Sequence, residues 1–322
     1  MFEKLKTPAF LRAAREGLPE ERPVALFKVF FAFLLVFMIA GMLQSFALTP
    51  VTLVLLFTDK EYLASFSTMT ELPDEGALLD TVERLLRTDA VLVATLFATV
   101  FLGVAALFYC RSIEKRSYLS MGIRKKRAAF SSLLGAVLAL LLALGAASFA
   151  HLFGAVTPVT PTRTDPLLFV LLLFGLFIEG FAEELLFRGY LTVSLARGRS
   201  LGFAVLLGSL LYACFHRAGV GATPIAFLNF FLFGLLSSLY MIRFGNLLGS
   251  AVLHAVWSVG IGLVFGSPVS GNALPVSLLS LSPVEGSSFL SGGAFGLEGG
   301  IAVTCVLTLG VALLGMIPTK ED

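Results

Sequence analysis

Charge is scarce in this chain. Only 14% of its 322 residues are Asp, Glu, Lys or Arg, against about 25% in soluble domains. No stretch of ordinary polar composition is long enough to fold around a core of its own, which excludes a separate soluble domain. Cysteine is nearly absent. Cys110, Cys214 and Cys305 stand singly in or beside apolar runs, which excludes cysteine metal spacing and leaves three small hydrophobes. Histidine occurs three times, and no His-Glu-x-x-His and no repeat of fixed period is present. The net charge of +2 gives no reason to expect a nucleic-acid partner. Residues 1–23 are too polar and charged for a removable signal peptide.

What the chain has in abundance is apolar sequence: 57% of residues, with a mean hydropathy of +0.93. A membrane-spanning helix needs about 20 mostly apolar residues. Eight candidates fit, at about 25–46, 90–109, 128–152, 167–191, 201–215, 225–242, 247–265 and 301–317. A further apolar piece at 51–57 extends the first or lies at the interface. The expected fold is all-α, a polytopic membrane helical bundle of about eight transmembrane helices, forming one integral membrane domain over 1–322. Lysine and arginine in short loops set orientation. The basic loop 111–127 belongs to the cytoplasm and the acidic loop 59–89 outside. Arg197, Arg199 and Arg243 agree, and both termini become cytoplasmic, with 1–24 as a cytoplasmic segment. The loop 266–300, rich in Gly, Ser and Pro, falls outside and reads as a connector.

One stretch contradicts its surroundings. Glu179, Glu183, Glu184 and Arg188 follow the apolar run 167–177. A charge at the bilayer centre costs roughly 2.5–3.5 kcal/mol on insertion scales, so these groups must pair, meet water or do chemistry. On a helix Glu179 and Glu183 share a face, and Glu184 and Arg188 pair in the favourable acid-first order. Glu184 with Arg188 then reads as a lock, which leaves Glu183 available. Glu179 is either a proton partner of Glu183 or an interfacial acid.

A lone intramembrane histidine is ordinarily a packing residue, and His151, beside an external loop, is read that way. His216 ends the fifth candidate span and His254 lies inside the seventh. Two imidazoles following such an acidic helix supply what hydrolysis needs: a carboxylate to take a proton from water, a histidine to hold that water, and another to donate to the oxyanion.

Glu183-Glu184-Leu185-Leu186-Phe187-Arg188-Gly189, then Tyr212-x-x-x-His216, then His254 resembles the CAAX prenyl protease and bacteriocin-processing (CPBP) family of intramembrane endopeptidases. The likeness covers about 169–265 and makes 127–266 the expected catalytic helical core. Residues 229–247, with Gly234, Tyr240 and Gly245-Asn246-Leu247, look like the link between the family's second and third motifs. Pro268-Val269-Ser270-Gly271 and Gly292-Gly293-Ala294-Phe295-Gly296 resemble the outer loop of bacterial members. The resemblance implies a glutamic-type protease that requires no metal or other cofactor. Glu183 and His216 would activate water, His254 would stabilise the oxyanion, and Glu184 and Arg188 would shape the site. The family's third motif often reads His-x-x-x-Asn; Ser258, a shorter donor, stands at the Asn position here, and Asn229 is a candidate substitute. The substrate would be a membrane-bound peptide or protein in a prokaryotic plasma membrane.

Two other readings use the same residues: a zinc protease with Glu183 and the two histidines as ligands, and a non-enzymatic immunity or scaffold protein or transporter with a buried polar network. One geometric condition applies to all. Glu183 and His216 close two antiparallel runs and meet only if the fourth helix continues to about Arg197. A broken stretch at 219–224 would then border a water-filled pocket.

Overall fold

A computed structural model describes residues 7–16, 24–68, 75–86, 88–161, 163–216 and 223–318. The order is α1 (Ala9–Arg15), α2 (Leu26–Thr58), α3 (Lys60–Ser67), α4 (Glu75–Leu86), α5 (Asp89–Ala98), α6 (Val100–Phe108), α7 (Ala128–Leu152), β1 (Val156–Val159), α8 (Pro166–Glu184), α9 (Val193–Gly198), α10 (Leu201–His216), α11 (Pro224–Phe244), α12 (Leu247–Val259), β2 (Ser280–Pro283), α13 (Ser288–Ser291) and α14 (Ile301–Met316). The fold is an all-α bundle with, among the described residues, one two-stranded antiparallel ribbon, β1 on β2, in which Val156 faces Pro283 and Val159 faces Ser280.

Among the described residues, six helical segments are long and apolar enough to cross a membrane: Leu26–Thr58, Asp89–Ile113, Ala128–Leu152, Pro166–Gly198, Pro224–Phe244 and Leu247–Val264. α10 and α14, the fifth and eighth expected spans, have 16 residues each, about 24 Å of helix against a hydrocarbon core of about 30 Å. The apolar piece at 51–57 is no separate element: α2 runs through Pro50 to Thr58.

Punctuation in the sequence explains the element boundaries. Asp165 accepts from the Leu168 amide at 3.0 Å with Pro166 behind it at the helix start. Thr223 caps α11 ahead of Pro224, and Asn246 caps α12 by accepting from Leu248. Gly245, at φ 65, ends α11 in the left-handed conformation that lets α12 start two residues later. At the C-terminal end of α14, Arg243 donates to the Leu314 and Gly315 carbonyls, which would otherwise be unsatisfied.

Two features seat the central helix. The basic loop 111–127 is not wholly solvated: the Arg116 guanidinium is buried and donates to Gly189 O at 3.0 Å and Ser194 Oγ at 2.9 Å. Gly180 lets α8 and α12 touch, since a Cβ there would lie 2.8 Å from the Ala255 backbone nitrogen.

The loop 266–300 is more than a bare connector. It contributes β2 to the ribbon, then α13 and two short turns that bury Phe295, Leu297 and Glu298.

Candidate active site

The fourth apolar run continues as expected. α8 passes through a π-helical segment, Leu185–Thr192, into α9 and ends at Gly198. π turns inside α-helices are frequent at functional sites, and this one begins right after Glu184. Fifteen positions separate Glu183 from Gly198, and fifteen separate Leu201 from His216. The carboxylate and the imidazole therefore reach the same depth from one end of the bundle.

Three helices deliver the site. Glu183 Oε2 lies 3.4 Å from His216 Nε2 and 3.9 Å from His254 Nε2. His216 Nδ1 is 3.0 Å from Tyr212 O, and a carbonyl only accepts, so this nitrogen carries a proton. Its Nε2 thus faces Glu183 with a lone pair unless a second proton is present. Two lone-pair bearers at this distance call for one proton between them, held by either partner.

His254 is oriented in the same manner. Its Nδ1 is 3.2 Å from Glu184 Oε1, which leaves Nε2 aimed toward Glu183. Glu184 is fully buried and triply engaged: Arg188 Nη1 lies 2.9 Å from Oε1, and Ser237 Oγ donates to Oε2 at 2.5 Å. Arg188 lies 4.4 Å above the Tyr212 ring, a cation–π contact in a water-poor place. Glu184 and Arg188 thus form the expected pair, but the carboxylate also steers an imidazole.

Aromatic rings wall the two histidines. His216 packs against the tilted rings of Tyr212 at 4.1 Å and Phe230 at 4.8 Å, and His254 meets Phe233 at 5.0 Å, centroid to centroid. Gly234 on α11 permits close approach of α10, because a Cβ there would lie 2.9 Å from the Ser209 Cα.

Of the remaining expected residues, Ser258 is buried one turn beyond His254. Asn229 is committed elsewhere. Its amide donates to Glu298 O at 2.7 Å and Gly300 O at 2.9 Å, and its oxygen accepts from Thr304. With both N–H groups engaged it holds the loop, so it cannot also replace the missing Asn as an oxyanion donor. His151 is exposed, with Nδ1 3.2 Å from Val156 O at the foot of the ribbon, away from the cluster. Residues 217–222, most of the expected break and its pocket, lie outside the described residues. An apolar cleft of about 430 Å³ opens on another face of α8, beside Phe177, Phe181 and Ala182. Among the described residues no group of three or more His, Cys, Asp or Glu has the arrangement to hold a metal ion.

Residues 165–260 match the family model described as type II CAAX prenyl endopeptidase Rce1-like. This segment is similar to the Rce1-like family. It contains Glu183, Glu184, Arg188, His216, His254 and Ser258, and it ends before the 266–300 loop. The Rce1-like match agrees with the CPBP resemblance and supports a CAAX-type protease in an integral membrane protein. No curated protein and no solved structure matches the chain.

Sequence reasoning missed Ser237, which fastens Glu184, and Trp257, whose indole Nε1 donates to Glu298 at 2.7 Å. The one signal was that Trp257, the chain's single tryptophan, sits between His254 and Ser258.

Proposed function

We propose that the protein is an intramembrane endopeptidase that hydrolyses a peptide bond of a membrane-associated peptide or protein, with water activated by Glu183 and His216. The observation that carries the proposal is the convergence of one carboxylate and two imidazoles, from three helices, within 3.4 and 3.9 Å.

In this scheme the Glu183 carboxylate accepts a proton from water, and the hydroxide adds to the carbonyl carbon. The oxyanion that forms is held by His254 Nε2, with the ring oriented by the Glu184 carboxylate at its far side. The tetrahedral intermediate collapses as the Glu183–His216 pair returns the proton to the departing amine, and the C–N bond breaks. Preorganised donors of this kind are worth about 10²–10³ in kcat, and positioned acid–base groups typically 10²–10⁴. Ser258, shorter than the family's Asn, adds its hydroxyl near His254. In this reading the chemistry requires no metal, and the protein works in a prokaryotic plasma membrane with both termini cytoplasmic. A leader peptide or membrane-protein segment suits this setting better than a prenylated terminus.

The test is cleavage of membrane-anchored peptides by the purified protein and by Glu183→Ala and His216→Ala, with and without a chelator. Activity in the parent alone, unchanged by chelation, supports the reading. Equal activity in all three removes it, and loss on chelation favours the zinc alternative.

A further inference from the structure

Glu298 is a buried carboxylate in the 266–300 loop, outside the segment that matches the family model. Both of its oxygens are engaged. Trp257 Nε1 donates to Oε1 at 2.7 Å, and the Ser270 amide donates to Oε2 at 2.6 Å. Ser270 belongs to a tight turn, with φ 50, closed by Val269 and Asn272. One side chain therefore joins two ends of the loop to α12. The loop backbone at 298 and 300 is pinned independently by Asn229 of α11.

Two chains of ring contacts lead from this junction to the two histidines. Trp257 lies 5.9 Å from Phe233, which lies 5.0 Å from His254. Phe295, three residues before Glu298, lies 6.0 Å from Phe230, which lies 4.8 Å from His216. Side chains that must hold a fixed geometry depend on a supporting shell whose own rotamers are locked.

We infer that Glu298 is a positioning residue: by fixing Trp257 and seating Phe295, it makes the 266–300 loop the rear wall that orients His254 and His216. Its bearing on turnover rests on the hydrolase reading above; its bearing on the two rings does not. Glutamine at 298 can accept one of the two hydrogen bonds, but its NH₂ group faces a donor at the other, so the loop-to-helix junction opens on one side.

The chain has three histidines, so histidine ring-carbon NMR of the full protein in detergent micelles gives one signal for each, assigned by single His→Gln variants. Glu298→Gln shifts the signals of His216 and His254. Phe295→Ala shifts His216 alone, and Phe289→Ala, at an exposed position in the same loop, shifts none. His151, at the foot of the ribbon, stays in place and reports that the loop remains folded. Should Glu298→Gln move all three signals, the loop has come apart and Phe295→Ala decides by itself. A shift of His216 alone then upholds the inference, and any other pattern overturns it. Unmoved His216 and His254 signals in Glu298→Gln overturn it outright. A protein without peptidase activity that still shows the expected shifts sinks the hydrolase reading and leaves this one standing.

Discussion

His254 Nδ1 and Arg188 Nη1 converge on the same oxygen, Glu184 Oε1, at 3.2 and 2.9 Å. One buried carboxylate thus balances a guanidinium and orients an imidazole, and the two roles separate by mutation. Glu184→Gln leaves Arg188 buried without its counter-charge, which costs about 3–5 kcal/mol, and it weakens the hold on His254. Thermal unfolding in micelles should show a large drop, and kcat should fall more than KM rises. Ser237→Ala keeps the ion pair and removes one hydrogen bond to a charged group, a loss of about 1.5–3 kcal/mol. A Ser237→Ala protein as unstable as Glu184→Gln contradicts this division.

Gly180→Ala tests the closeness of α8 and α12. The new methyl would lie 2.8 Å from the Ala255 nitrogen and 3.0 Å from its Cα, backbone atoms that cannot swing aside. Overpacking of this kind costs about 1–3 kcal/mol, and here it pushes His254 away from Glu183. Activity per folded molecule should drop at least tenfold, measured beside the unfolding midpoint. A variant with full activity means that the helices tolerate separation.

Glu298 gives stability a definite pH dependence. Burial raises its pKa, an effect that the bonds from Ser270 and Trp257 and the charges of His216 and His254 only partly offset. A raised acid binds its proton more tightly in the folded state than in the unfolded one. Its contribution is therefore most favourable below the ordinary carboxylate pKa of about 4.3 and declines as pH rises through the folded value. Relative to Glu298→Gln, the parent protein should lose stability as pH rises above that range. Denaturant titrations at several pH values check this, and parallel curves for the two proteins would contradict it.

The sequence revealed what depends on local spacing. Acids and an arginine stranded beside an apolar run announced a polar site, and the four-residue interval placed Glu184 against Arg188. The required extension of the fourth helix followed from the depth argument, and α8 through α9 meets it at Gly198. Contacts between distant segments were not legible. Asn229 reaches the backbone at 298 and 300, and Ser237 reaches Glu184, through packing that no periodicity encodes. Nothing local marks Glu298 as a buried acid, because its partners Trp257 and Ser270 lie far back in the chain.

The central claim is that Glu183 and His216 act as one proton-sharing unit, and a double-mutant cycle measures that directly. Cleavage rates of a membrane-anchored peptide are compared for the parent, Glu183→Gln, His216→Ala and the double variant. Residues that act as a unit are strongly non-additive. The account predicts that each single change lowers kcat by about 10²-fold or more and that the double change lowers it little further. Single variants as fast as the parent, or losses that multiply in the double variant, would contradict it.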